Sequence, residues 1–247
     1  MTEARIGTSG WHYAHWGRGV FYPAELKRAD WLGYFARSFN TVEINNTFYQ
    51  LPREETFQKW REATLEGFRF ALKASRFITH IKRLKEPEKT ISNFLSRAGL
   101  LRNRLGPVLF QLPPTLKCDL DRLARTLDYL SSQDMVPELE AVFEFRHPSW
   151  LCDRTFEILE GHGASLCLSD METCPVTAPL RFGFVYARRH GPSGAYAGCY
   201  SERHTRKDAE RVEDWLREGR AVYMYFNNDV EGFAVKNALR LKELLAN

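Results

Sequence analysis

The chain has 247 residues, 44% of them hydrophobic and 13% aromatic, with a formal net charge of +4. These values describe an ordinary globular chain, long enough to bury a sizeable core as one large domain or two small ones. The charge is too small to argue for a nucleic-acid partner by itself. The longest apolar run, "AVYMYF" at 221–226, falls far short of the roughly 18 residues of a membrane span.

The opening "MTEARIGTSGW" lacks the basic and apolar regions of a secretory signal. Cys118, Cys152, Cys167, Cys174 and Cys199 are odd in number, scattered, and form no C-x-x-C. Neither a disulfide framework nor a zinc knuckle is expected, and the expected compartment is the cytoplasm.

Short β-type runs alternate with helical patterns. In chain order these are the strand "RIGTSG" (5–10), the helix "DWLGYFARSF" (30–39), the strand "TVEINNTFY" (41–49) and the helix "FQKWREATL" (57–65). The strand "RFALKAS" (69–75), the helix "TISNFLSRAGLL" (90–101) and the strand "PVLFQLP" (107–113) follow. In "DLDRLARTLDYL", Leu120, Leu123, Leu127 and Leu130 share one helical face. The strands "EAVFEFRH" (140–147) and "ASLCLSD" (164–170) come next, and then "METCPVTAPL" (171–180), which reads as loop. After the strand "FGFVYARRHG" (182–191), Thr205 and Asp208 resemble a capping box ahead of Val212, Trp215 and Leu216. The last pair is the strand "AVYMYFNN" (221–228) and the helix "FAVKNALRLKELL" (233–245), with Val235, Leu239 and Leu241 or Leu244 on its face. Eight strands separated mostly by helices predict an α/β fold, a TIM-type (β/α)8 barrel formed as a single domain over 1–247. A doubly wound open sheet is the alternative that the same alternation permits.

Side chains alternate along a strand, and in a barrel one parity faces the helices and the other the axis. The uninterrupted apolar parity, such as Val42 and Ile44 or Phe143 and Phe145, is expected to face the helices. The opposite parity collects Ser9, Glu43, Asn45, Thr47, Lys73, Gln111, Glu144, Arg146, Arg188, His190, Tyr225 and Asn227. Strand six is ambiguous, because Asp170 shares its parity with Leu166 and Leu168. These polar residues lie toward the C-terminal strand ends, where barrel enzymes carry their chemistry.

The blocks "GTSGWHYAHWG", "FYP", "VEINNTFYQLP", "FALKASRFITH", "LGPVLFQLPP", "FEFRHPSW", "RRHG" and "YMYFNND...GFAVKNA" carry a resemblance. From Ile6 to Leu245 the chain resembles the domain of unknown function 72 family, the YecE-like proteins. That resemblance implies a TIM-type barrel. It implies no particular reaction.

The leading functional expectation is an enzyme acting on a small anionic substrate by acid/base chemistry at the barrel mouth. Lys73, Arg146 and Arg188 would hold a phosphate or carboxylate, which arginine suits by bidentate bonding. Glu43 or Glu144 and His190 would move protons. Ser9, Asn45, Gln111, Asp170, Tyr225 and Asn227 complete the expected substrate contacts. A structural Glu144–Arg146 ion pair is the competing reading of those two residues.

Glu43, Glu144, Asp170 and His190 could alternatively bind a divalent metal in a hydrolase, with nucleic acid as one candidate substrate, although no ligand-spaced pair occurs and the cations disfavour it. No metal ligand is therefore assigned, and the cofactor is left unknown. The two glutamates could also suggest a glycosidase pair, and a non-catalytic metabolite- or nucleic-acid-binding protein is a third class. "KASRFITHIKRLK" reads as a solvated basic loop and helix face, with a polyanion-attracting rim as the sharper alternative. His147 reads as a turn residue before Pro148, and His12 and His15 as packing in the first βα loop.

Overall fold

The computed structural model describes residues 3–171, 174–179, 183–194 and 196–246. The strands are β1 (Ala4–Thr8), β2 (Thr41–Ile44), β3 (Arg69–Lys73), β4 (Leu105–Gln111), β5 (Ala141–Glu144), β6 (Ser165–Ser169), β7 (Val185–Arg189) and β8 (Val222–Phe226). They pair in parallel in the order β1-β8-β7-β6-β5-β4-β3-β2. An isolated parallel bridge between Ser9 and Glu43 joins the two ends of that order. The sheet is thus a nearly closed barrel, and the open-sheet alternative falls. Gly7 permits the close approach at this seam, since a Cβ there would lie 2.4 Å from the Thr41 carbonyl oxygen.

Among the described residues a helix of seven or more residues follows every strand except β6. The β6–β7 connection instead folds Val176 back onto Ser169 as an antiparallel bridge. That agrees with reading 171–180 as loop, although positions 172, 173 and 180 lie outside the described residues. Phe182, the expected start of strand seven, lies outside them too.

The helices follow the predicted periodicity with two corrections. In helix Leu120–Ser131, Asp119 caps the Arg122 amide at 3.0 Å, and Leu123, Leu127 and Leu130 are buried. Thr205 and Asp208 do not form a capping box. Helix Glu202–Arg217 begins earlier, and Ser201 caps the His204 amide. Thr205 and Asp208 lie on the buried face with Val212 and Trp215, and Asp208 pairs with Arg189 at 2.8 Å. In helix Phe233–Leu245 the buried residues are Ala234, Val235, Asn237, Ala238 and Leu241, whereas Leu239 and Leu244 are half-buried. Small residues there let the helix sit close to β1 and β8.

Two apolar clusters confirm the parity reading. One lies between sheet and helices and includes Val42, Phe70, Leu72, Phe110, Phe143, Phe145 and Met224. The other fills the barrel axis with Ala71, Leu109, Val142, Cys167, Tyr186, Tyr223 and Tyr225. Cys167 therefore settles strand six: Ser165, Cys167 and Ser169 face inward, and Asp170 follows at the strand end. Strand β2 stops at Ile44, so Thr47 is not a strand residue. It belongs to a short helix, Asn46–Tyr49, and its hydroxyl donates to the Ile44 and Lys73 carbonyls at 3.1 and 2.7 Å.

Candidate active site at the barrel mouth

Above the tyrosine layer, charges replace apolar side chains on the inward parity. Arg188, on β7, stands at the centre and is only 1% exposed. Its Nε donates to both Glu43 oxygens at 2.9 and 3.2 Å, and Nη2 reaches Glu43 Oε1 at 2.9 Å. Its Nη1 donates to Glu144 Oε2 at 2.7 Å. Each guanidinium nitrogen is therefore bonded to a carboxylate. The Tyr186 hydroxyl, one inward position earlier on β7, donates to Glu43 Oε2 at 2.7 Å. A buried charge costs several kcal/mol unless it is paired and hydrogen-bonded, and this network supplies both conditions.

Electrostatics fixes the protonation states. Burial works to raise the Glu43 carboxyl, but Arg188, Tyr186 and Ser9 outweigh it and hold it below the usual range. Burial likewise opposes ionised Glu144, yet Arg188, Arg146, His190 and Lys73 bring it down to about 2. Both glutamates are ionised at neutral pH.

His190 is fully buried. Arg188 Nη1 donates to its Nε2 at 3.2 Å, which assigns the ring proton to Nδ1. Nδ1 faces Asp170 Oδ1 at 3.2 Å, and the same oxygen accepts from the His190 amide at 2.8 Å. The Tyr200 hydroxyl donates to the other Asp170 oxygen. Burial pushes the imidazole down despite the Asp170 hydrogen bond, so His190 is neutral near pH 7. Asp170 is held low by His190 and Tyr200 against the effect of burial.

Arg146 and Lys73 stand at the edge of this network. Arg146 is 8% exposed. Its Nη2 pairs with Glu144 Oε1, its Nη1 abuts the Met171 sulfur, and its Nε has no hydrogen-bond partner. Both readings of the Glu144–Arg146 pair thus retain something: the pair exists, and one donor is unspent. Lys73 ends β3 with Nζ 4.3 Å from the Phe48 ring centroid. Burial, with Arg188 and Arg146 adding to it and Glu144 and Glu43 opposing, lowers its ammonium to about 8.

The structure joins Glu43, Glu144, Arg146, Arg188, His190 and Asp170 by direct contacts, with Ser9 at the Glu43 bridge. Gln111 sits in register beside Glu144. Asn45 precedes the short helix, and its buried Oδ1 has no hydrogen-bond partner. Asn227 is 8% exposed and anchored through its amide to the Arg189 carbonyl at 2.7 Å. Tyr225 lies deeper: it is fully buried, and its hydroxyl meets that of Thr41 at 2.7 Å.

Tyr186 shares the inward parity of Arg188 and His190 in the sequence, although it carries no role in the reading above, and Phe48, Tyr200 and Met171 were missed. For Tyr186 the parity was itself the signal. Outside the mouth, His147 Nδ1 accepts from the Ser149 amide at 3.1 Å, as a turn residue would. His15 bonds the Asp229 carbonyl at 2.8 Å, and His12 packs on Trp31. In the basic segment Arg76, Arg83 and Lys85 are exposed, and Lys82 pairs with Glu86 at 3.7 Å. That is the solvated face. Among the described residues no three His, Cys, Asp or Glu side chains cluster as a metal site requires, and no helix is long and apolar enough to cross a membrane.

The profile of the family described as "Protein of unknown function DUF72" matches residues 5–247. UPF0759 protein YecE of Escherichia coli K12 is 34% identical over 147 residues, covering 59% of this chain and 49% of YecE. The match thus spans about half the length of that relative. UPF0759 protein YunF of Bacillus subtilis strain 168 is 25% identical, covering 97% of this chain and 94% of YunF. Among solved structures, a DUF72 family protein from Thermotoga maritima superposes with a TM-score of 0.83 at 29% identity, covering 99% of each chain. SacUVDE superposes with a TM-score of 0.57 at 9% identity over 99% of this chain and 98% of its own, a likeness of fold alone.

Proposed function

The chain belongs to the DUF72 family, and from that premise we propose that its barrel mouth is an enzyme site for a small substrate bearing a carboxylate or phosphate. Arg146 carries this reading. Its guanidinium is largely buried and held by Glu144, with Nε unspent and a thioether, a weak acceptor, against Nη1. An oxyanion is the ligand that such a donor set lacks. Lys73, Arg146 and Arg188 meet Glu43, Glu144 and Asp170, so the formal charges balance, and an anion would be drawn by the unspent donor of Arg146 and by Lys73, which lacks an ion pair, rather than by net charge.

The roles divide differently from the simple sequence expectation. Arg188 is committed to the glutamates and acts on a ligand through them and its field. Glu43 and Glu144, with depressed pKa values, are fixed charges and weak bases. Lys73 is the group suited to exchanging protons near neutral pH, whereas both ring nitrogens of neutral His190 are engaged by Arg188 and Asp170. Asn45, Gln111 and Asn227 offer the orienting amides. The metal-hydrolase reading is weaker because the Glu43, Glu144 and Asp170 oxygens already accept from Arg188, Arg146, Tyr186, Tyr200 and His190.

A thermal-shift screen of phosphorylated and carboxylated metabolites, with and without divalent cations, tests the proposal. A ligand at a hundred times its Kd adds about 2.7 kcal/mol, or roughly 5–10 °C for a domain of this size. The shift should shrink to near zero in Arg146→Gln. Stabilisation by divalent cations alone, or an anion response unchanged in Arg146→Gln, refutes the anion site.

A further inference from the structure

We propose that Lys73 is a nucleophilic amine that forms an imine with its substrate, which is therefore a small aldehyde or ketone carrying the anionic group. This deepens the preceding reading and rests on it. Lys73 Nζ makes no hydrogen bond or ion pair among the described residues, and it lies over the Phe48 ring at 4.3 Å from the centroid. Two lysines later in the chain behave differently: Lys82 and Lys89 pair with Glu86 at 3.7 and 2.8 Å.

The isolation has a structural cause. Glu43 and Glu144, the carboxylates whose charge Lys73 feels, are both tied to Arg188, and Glu144 also to Arg146. The amine is left half-buried and unpaired, in the field of two guanidiniums and on an aromatic ring. Desolvation and neighbouring cations are the two circumstances that turn a lysine into a nucleophile at neutral pH. They hold its ammonium at about 8, so a substantial fraction is free amine in mildly alkaline solution.

His80 packs edge-on against the same Phe48 ring at 4.9 Å. Burial, Lys73 and Arg76 hold its imidazole at about 4, so it is neutral near pH 7 and adds no further positive charge beside the amine. Arg146 would take the carboxylate or phosphate and set the carbonyl over the amine.

The step balances without redox. The Nζ lone pair attacks the carbonyl carbon, the C=O π electrons move to oxygen, and the proton shed by nitrogen is returned to that oxygen. A proton taken from solvent then turns the carbinolamine hydroxyl into leaving water, and the nitrogen lone pair forms the C=N bond of a protonated imine as the C–O bond breaks. The protonated imine is an electron sink for proton removal or bond cleavage at the adjacent carbon.

The experiment is reductive trapping on the intact protein. Glyoxylate and pyridoxal phosphate are each added with cyanoborohydride between pH 6.5 and 9, and peptides are mapped by mass. Lys73 should be modified about ten times faster than any other lysine, with a rate rising through pH 8. Lys73→Arg should lose that adduct, and Arg146→Gln should slow it far more for these anionic probes than for propionaldehyde, which feels only the change in the amine's ionisation. Labelling spread over exposed lysines, or none at Lys73, overturns the inference whether or not the variants fold. Lactate, which has no carbonyl to react, is the parallel thermal-shift arm. A lactate shift without a Lys73 adduct overturns the imine and keeps the anion site. A Lys73 adduct without any anion shift supports the amine and overturns the anion reading.

Discussion

Replacing Arg188 with Met removes the cation that two buried carboxylates share. Glu43 and Glu144 are 0% and 1% exposed, so water cannot substitute for the lost donors. Breaking a buried pair by deleting one partner costs about 3–5 kcal/mol. At about 2–4 °C per kcal/mol for a domain of this size, the melting midpoint at pH 7 should fall by roughly 6–20 °C. The pH dependence is the sharper readout. In the native protein Glu144 is held at about 2 against an ordinary 4.5. A depressed folded pKa adds stability above the unfolded value and loses it as pH falls through the folded one. At about 1.4 kcal/mol per tenfold change, that window is worth about 3 kcal/mol. Glu43 acts in the same direction. In Arg188→Met, Glu43 loses its ion pair, and burial drives its pKa above the unfolded value. Its contribution is then present below pH 4.5 and lost as pH rises through the raised value. Urea unfolding followed by tryptophan fluorescence at pH 3.5, 5 and 7 separates the two cases. The wild-type midpoint should climb from pH 3.5 to 5 and level off, and the variant's should decline from pH 5 to 7. Equal midpoints at pH 7, or a variant that still gains stability with pH, would refute the reasoning.

Two further predictions concern the frame. Gly7→Ala would set a Cβ 2.4 Å from the Thr41 carbonyl at the β1–β2 seam, so a loss of about 1–3 kcal/mol is expected in urea titration; an unchanged midpoint would show that the seam can open. Asp208→Ala leaves Arg189, 7% exposed, without its carboxylate and should cost about 3–5 kcal/mol. Much of that loss should return in Arg189→Leu/Asp208→Leu, and calorimetry of the four proteins measures the coupling.

The barrel and the facing of its charges were legible because strand periodicity is local. Glu144 and Arg146 differ in parity from Phe143 and Phe145 whatever lies across the sheet. What those charges do was not legible, because the partners are distant in the chain: Arg188 lies 145 residues from Glu43 and 44 from Glu144. Parity could count three cations at the mouth but could not show that one is consumed. Strand six failed for a different reason, since Leu166, Cys167 and Leu168 are apolar on both parities. Asp208 was misread because Thr-x-x-Asp satisfies a capping pattern, whereas the helical repeat with Val212 and Trp215 places it inside. Asn237 was passed over within an apolar helix pattern. It is nearly buried, accepting from the Tyr200 amide at 3.2 Å and the Asn228 amide group at 3.0 Å.

The Tyr186–Glu43–Arg188–Glu144 network gives the mouth a rigid dielectric floor. Its dipoles are oriented when the chain folds, since every hydrogen bond in it runs between strands of the same barrel. A charge that develops above it meets a field already in place and need not turn solvent or side chains to be stabilised. For the reaction proposed at this mouth, the reorganisation energy that the same step incurs in water at each turnover would be spent once, during folding.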